Sequence, residues 1–324
     1  MNKAEDAVLP IIDVAPLGSD DEAAIQAVAR TIGEACRNIG FFYIAGHGVP
    51  DDLSMRAYAQ SACFFDLPLA DKTALAISRS MNNRGYAGLT SESLDPDDAA
   101  DFKEAFNVGR EPAQGEVFDP DLPSAGPNQW PDLPGFEVCM TEYYTTMHRL
   151  AERLHIAFAI DLGLPRGWFA PYIDRPLATL RLLRYPAGAA APDRPGAGAH
   201  TDYGSLTILS QDQTGGLEVQ TRDGAWIAAP PVPGAFVCNI GDCLMRWSND
   251  TYKSTPHRVM NRTARLRHSI AFFFDPNPDA LIACLPTCET PDRPPRYPPV
   301  TAADYLRSRL DDTYAFRREG ARMP

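Results

Sequence analysis

The chain has 324 residues, 30 Lys and Arg against 42 Asp and Glu, a formal charge of −12, and 44% hydrophobic and 22% charged residues. This is the composition of a soluble globular protein. It excludes nucleic acid or an anionic membrane as the main partner, because an acidic surface without a basic run is repelled by both. At ~150 residues per domain the length gives roughly two domains, and a chain of this size buries about 75% of its unfolded surface without needing disulfide staples.

The N-terminus is acidic where a secretory signal would be basic, and no apolar stretch reaches the ~18 residues of a membrane span. Seven cysteines lie scattered at 36, 63, 139, 238, 243, 284 and 288 with no CxxC pair, which predicts a reduced, cytoplasmic protein. Proline makes up about 9% of the chain against a usual ~5%, so short strands and loops are favoured over long helices.

In chain order, Ser19-Asp20-Asp21-Glu22 reads as a capping box before an apolar stripe at Ile25, Val28, Ile32 and Cys36, predicting a helix that ends near Asn38-Ile39-Gly40. Residues 41–45 read as a strand stopped by Gly46-His47-Gly48-Val49-Pro50, and 51–64 as a second short helix. Residues 78–134 have weak periodicity and six prolines between Pro112 and Pro134, so they are expected to be covering loops. Met140, Tyr143, Met147, Leu150, Leu154 and Ala157 then define the longest helix, from Phe136 to Gly163-Leu164-Pro165.

Seven strand-like segments follow without intervening helices, at 179–185, 204–210, 216–220, 225–228, 235–239, 257–260 and 266–274. They predict an antiparallel sandwich or barrel. A Pro-rich stretch covers 276–299, and Thr301-Ala302-Ala303-Asp304 opens a terminal helix ending near Arg318.

Six histidines are few enough to weigh singly. In a β region, His200-Thr201-Asp202 puts an imidazole and a carboxylate on one face by strand alternation, and His257 supplies a third ligand. Two imidazoles and one carboxylate form the facial triad of non-haem Fe(II) oxygenases, with a catalytic zinc site as the rival reading. Arg267 and Ser269 share a face of an apolar strand, with His268 on the other. A guanidinium directed into such a strand calls for a carboxylate partner, which it can bind bidentately. Metal and Arg/Ser pair together describe a site for a dicarboxylate, and 2-oxoglutarate fits.

These residues carry a family resemblance. The segments Asn38 to Val49, His200-Thr201-Asp202, Gly215-Gly216-Leu217-Glu218-Val219, Asn239-Ile240-Gly241-Asp242, His257-Arg258-Val259 and Arg267-His268-Ser269 resemble, in order and spacing, the Fe(II)/2-oxoglutarate-dependent dioxygenases of the isopenicillin N synthase-like branch. The resemblance implies a mainly β fold with flanking α-helices, built on a double-stranded β-helix (jelly-roll) core with a helical N-terminal region. It divides the chain into an N-terminal dioxygenase region (1–135), a long helix and connection (136–175), the Fe(II)/2-oxoglutarate core (176–280), and a Pro-rich segment with C-terminal helix (281–324).

Carried over residue by residue, it makes His200, Asp202 and His257 the catalytic iron ligands, and Arg267 and Ser269 the binders of the distal 2-oxoglutarate carboxylate. Tyr185 is placed beside that carboxylate, although Leu183 stands where plant members usually have asparagine. Arg84 and Phe273 are candidates for contact with the substrate, Arg84 because Asn83-Arg84-Gly85-Tyr86 resembles the substrate-covering region. His148, His155, His47 and His268 are read as structural. The function implied is oxidation, by default hydroxylation, of a small molecule with O2 and 2-oxoglutarate, releasing succinate and CO2. Two alternatives stay open: an Fe(II) oxidase or cyclase of isopenicillin N synthase type that does not use 2-oxoglutarate, and a non-catalytic jelly-roll binding protein.

Overall fold

In the computed structural model, which describes residues 9–80, 82–92, 101–111, 115, 126–187 and 195–313, strand β1 (Ile11–Asp13) precedes helix α1 (Glu22–Asn38). The helix cap is Asp21 rather than Ser19. Its Oδ1 accepts from the amides of Ala23 and Ala24 at 3.0 and 3.1 Å, which satisfies two orphan donors and sets a negative charge at the positive end of the helix dipole.

The chain continues through β2 (Phe41–Ala45), α2 (Asp51–Phe65), α3 (Leu69–Ala74), β3 (Gly85–Ala87), β4 (Glu104–Gly109) and the long α4 (Phe136–Asp161). Next come β5 (Thr179–Tyr185), β6 (Ala197–His200), β7 (Leu206–Gln211), β8 (Leu217–Gln220), β9 (Trp226–Ala228), β10 (Phe236–Ile240), α5 (Asp242–Trp247), β11 (His257–Val259) and β12 (Arg267–Phe274). A small pair, β13 (Leu281–Ile282) and β14 (Val300–Thr301), leads into α6 (Ala302–Thr313). Thr301 caps α6 as expected: its Oγ1 accepts from the Asp304 amide at 3.1 Å and donates to the Asp304 carboxylate at 2.7 Å.

Each of the seven expected strands is found within about two residues of its predicted bounds. They form two sheets. The larger has the order β1-β2-β10-β7-β12-β5-β4-β3 and the smaller β6-β11-β8-β9, with antiparallel pairing except between β1 and β2. This is the jelly-roll arrangement expected, and strands from the N-terminal region extend the same sheet as those of the core.

The expectation of loops across 78–134 is corrected by β3 and β4. All six residues of β4 are buried, and the strand pairs with β5 from Glu104↔Arg184 to Gly109↔Thr179. Burial on both faces removes the polar alternation by which a half-exposed strand is recognised. The charge in the strand is also neutralised only by distant residues: Glu104 accepts from Lys72 at 2.7 Å, Arg184 at 2.7 Å and Tyr86 at 2.8 Å. The short strand β6 adds an element that the sequence does not signal, because Ala197-Gly198-Ala199 has no apolar bulk.

Strand alternation divides the interior in two. On β12, Ile270, Phe272 and Phe274 join the large cluster packed against α1, α2 and α4, while Ala271 belongs to the smaller cluster between the sheets. Among the described residues no helix is long and apolar enough to cross a membrane.

His155, on α4, is locked in the large cluster. One ring nitrogen bonds the Ala151 carbonyl at 2.8 Å, the other Ser205 Oγ at 2.7 Å, and Phe158, Phe169 and Phe274 surround the ring. Burial holds this imidazole neutral, with its pKa pushed down to about 4. The folded pKa lies below the unfolded value near ~6.5, so the unfolded chain takes up the proton first and stability is lost as the pH falls from 6.5 toward 4. That shift corresponds to about 3 kcal/mol. Urea titrations over this range are expected to show a shallower loss of stability for His155→Gln than for the wild type; equal slopes would refute the assignment.

Candidate active site

Because side chains alternate along each strand, one row from each large-sheet strand faces the smaller sheet. The register brings Arg267 beside Tyr185, Ser269 beside Leu183, Ala271 beside Arg181 and Leu209, and Phe273 beside Thr179 and Thr207. All of these line a cavity of about 170 Å³ between the sheets, closed on the other side by Ala197, Leu217, His257 and Val259, with Leu306 and Leu310 of α6 at its border.

His200 and His257 face each other directly across the antiparallel pair β6 and β11, with ring centroids 4.3 Å apart. Asp202 lies just beyond the end of β6, so the expectation that strand alternation alone brings His200 and Asp202 together is corrected: the chain leaves the strand at Thr201. One Asp202 oxygen, Oδ2, accepts from Thr207 Oγ1 at 2.6 Å and Asn239 Nδ2 at 2.7 Å. The other, Oδ1, lies 3.7 Å from His200 Nε2 and 3.6 Å from His257 Nε2.

Both imidazoles have Nδ1 directed at a backbone carbonyl, Gly198 at 2.7 Å and Thr255 at 3.2 Å, which leaves Nε2 as the lone-pair donor in each ring. Burial, and then His257, push the His200 pKa down to about 3. Burial alone would raise Asp202, but His257 and His200, followed by the bonds from Thr207 and Asn239, hold it below the usual carboxylate range. Neutral imidazoles and an ionised carboxylate are the forms that bind a metal. The three candidate ligand atoms lie within 4.8 Å of one another, so the donor set fits one divalent ion.

Arg267 has no exposed surface. Its Nε donates to the Gly215 carbonyl at 2.7 Å and its Nη1 to Ser269 Oγ at 3.1 Å, and its guanidinium lies 4.5 Å from the centre of the Tyr185 ring. Nη2 is buried without a hydrogen-bond partner among the described residues, and none of their carboxylates pairs with the group. A buried cation in this state calls for an anion. His268 points the other way, toward Phe65 and Asp212.

Of the substrate candidates, Phe273 lines the cavity and Arg84 does not. The Arg84 side chain is fully buried, with Nη1 donating to Thr179 Oγ1 at 3.2 Å. It occupies the space left by Gly109, where a Cβ would lie 1.7 Å from the guanidinium. Thr179, its partner, does line the cavity. Thr207, Asn239 and Asp275 are site residues that the sequence reading passes over. Asp275 is reachable from the sequence by continuing the two-residue period from Arg267 past the end of β12. It lines the cavity, and burial, then Asp202, push its pKa up to about 7.

A jelly roll with a His/Asp/His cluster beside an anion-seeking arginine defines a non-haem metal oxygenase. Comparison with known proteins makes this particular. Residues 9–133 match the family model described as non-haem dioxygenase in morphine synthesis N-terminal, and residues 177–276 match that of the 2OG-Fe(II) oxygenase superfamily. A 2-oxoglutarate-Fe(II) type oxidoreductase of Emericella nidulans is 38% identical, covering 96% of this chain and 93% of the relative. A homoarginine-6-hydroxylase of Oryza sativa subsp. japonica is 36% identical, covering 86% and 89%. The crystal structure of a full-length Neurospora crassa protein in complex with alpha-KG and thymine superposes with a TM-score of 0.85 at 32% identity, covering 96% of this chain and 98% of that one.

The chain belongs to the 2-oxoglutarate- and Fe(II)-dependent oxygenase superfamily, and it is a 2-oxoglutarate-dependent Fe(II) dioxygenase with O2 as co-substrate.

The two bonds to Asp202 Oδ2 leave Oδ1 turned toward His200 Nε2 and His257 Nε2, where a metal held by this donor set would sit. Asn239→Ala is expected to lower Fe(II) affinity by about 10- to 100-fold. Metal titration monitored by calorimetry checks this, and an unchanged affinity would show that Asn239 does not orient the carboxylate.

Proposed function

We propose that His200 Nε2, Asp202 Oδ1 and His257 Nε2 hold Fe(II), and that Arg267, with Ser269 and Tyr185, holds the distal carboxylate of 2-oxoglutarate. The observation that carries this reading is the fully buried Arg267 guanidinium, whose Nη2 has no partner among the described residues. The Arg267–Ser269 bond leaves the serine hydroxyl hydrogen free to donate to the same anion, and the Tyr185 ring fixes the plane of the guanidinium fork.

The bound iron and 2-oxoglutarate supply the oxidising power drawn from O2, with succinate and CO2 as products. The residues of this chain position and enclose. Thr207 and Asn239 hold one carboxylate oxygen away from the metal position, the Gly198 and Thr255 carbonyls set both imidazole tautomers, and Leu183, Leu209, Leu217, Val259 and Ala271 give the cavity an apolar lining that excludes water.

The prime substrate is a small molecule that occupies the cavity lined by Phe273 and by Leu306 and Leu310 of α6, and hydroxylation is the proposed outcome. Thymine in the complex of the Neurospora protein and homoarginine in the name of the rice relative support a substrate of that size. The acidic charge and seven unbridged cysteines support a cytoplasmic location.

Arg267→Ala removes one partner of the buried charge pair and is expected to weaken 2-oxoglutarate binding by roughly 2 to 5 kcal/mol. Anaerobic titration of the Fe(II) protein, followed by its visible metal-to-ligand charge-transfer band, measures this. Wild-type affinity in the variant would overturn the assignment.

A further inference from the structure

One acid in the cavity wall is left over when the other charges are matched. Glu92 is held by Arg181 Nη2 at 2.5 Å and lies 3.4 Å from Lys103, which also pairs with Asp101, so two cations meet two anions. At the metal end, on the reading above, a divalent ion and Arg267 bring three positive charges, and Asp202 with a dicarboxylate brings three negative ones. Asp275 remains.

Its position is specific. It follows β12 on the face that carries Arg267, Ser269, Ala271 and Phe273 into the cavity, at the opposite end of the strand from Arg267. The residue is 8% exposed and borders the cavity. Gly204 makes room for it, since a Cβ there would lie 2.5 Å from Asp275 Oδ1. Among the described residues no hydrogen bond or ion pair reaches this carboxylate. A buried acid without a donor or counter-ion is disfavoured until something supplies one. Two residues earlier on the same face, the Phe273 ring also borders the cavity, and an aromatic face beside an acid suits a cation.

We infer that Asp275 is a specificity-determining residue, and that the substrate carries a basic nitrogen, an ammonium or guanidinium group, which docks on Asp275 beside Phe273 while the carbon to be oxidised lies toward the His/Asp/His cluster. The inference rests on the metal and 2-oxoglutarate reading proposed above. It narrows the substrate class from any small molecule to a cationic nitrogen compound.

Agmatine, which carries both an amine and a guanidinium, and the uncharged 1,6-hexanediol serve as probes, titrated by calorimetry into the anaerobic protein loaded with Fe(II) and 2-oxoglutarate. Agmatine is expected to bind at least tenfold more tightly than the diol. Asp275→Asn, nearly identical in shape, is expected to weaken agmatine at least tenfold while leaving the 2-oxoglutarate titration and the melting temperature unchanged. Equal affinity for the two probes in the wild type, including no binding of either, would overturn the inference, as would unchanged agmatine affinity in Asp275→Asn. A charge-transfer band that never forms would instead overturn the metal and co-substrate reading beneath it.

Discussion

The carboxylate of Asp202 ties the two sheets together where the chemistry is done. Thr207 and Asn239, which bond one of its oxygens, stand on neighbouring strands of the large sheet, while His200 and His257, beside the other, stand on neighbouring strands of the small one. Asp202 itself belongs to neither, lying in the link that leaves β6. Its own backbone is pinned, with its carbonyl accepting from the Asp242 amide at 2.8 Å. Gly241 allows that approach, because a Cβ there would come 2.2 Å from the Gly204 carbonyl oxygen. The aim of Oδ1 thus depends on one short polar connection between the sheets.

The placement of polar groups follows from where the apolar burial lies. The face of the large sheet turned toward α1, α2 and α4 carries Phe42, Leu182, Ile208, Ile270 and Phe272 in a continuous core, which supplies most of the hydrophobic stabilisation. The opposite face can then carry Arg267, Ser269 and Asn239, with Asp202 bonded to it through Asn239 and Thr207. Each of these has defined partners, while on the cavity side Arg267 Nη2 and the Asp275 carboxylate have none among the described residues. Buried polar groups left open at a cavity are a signature of function, because folding alone gives no reason to bury them unpaired.

Much of this is legible in the chain. The strand pattern from Thr179 to Phe274 is readable because turns rich in Gly, Pro and Asp bound each segment, and the His200/Asp202/His257 cluster is readable because few histidines compete for the role. Local rules fail where partners are distant in sequence. Strand β4 is hidden because Glu104 finds Lys72 and Arg184 only in the fold. Arg84 lies in a segment resembling a substrate cover, yet Gly109 and Thr179 capture its side chain. Ser19 and Asp21 both satisfy a helix-start pattern, and the backbone path selects Asp21.

Residue types and spacing therefore determined the superfamily and the jelly-roll core, and they singled out the proposed metal ligands and anion-binding arginine, since such roles are specified by functional groups that few other residues can replace. Tertiary structure alone decided which groups meet. It set His257 opposite His200, gave Asp202 two donors on one oxygen, closed Arg84 away from the cavity, and left Asp275 facing it without a partner among the described residues. The physical reason is that contact across a sheet depends on register and burial, which arise only when strands far apart in the chain pair.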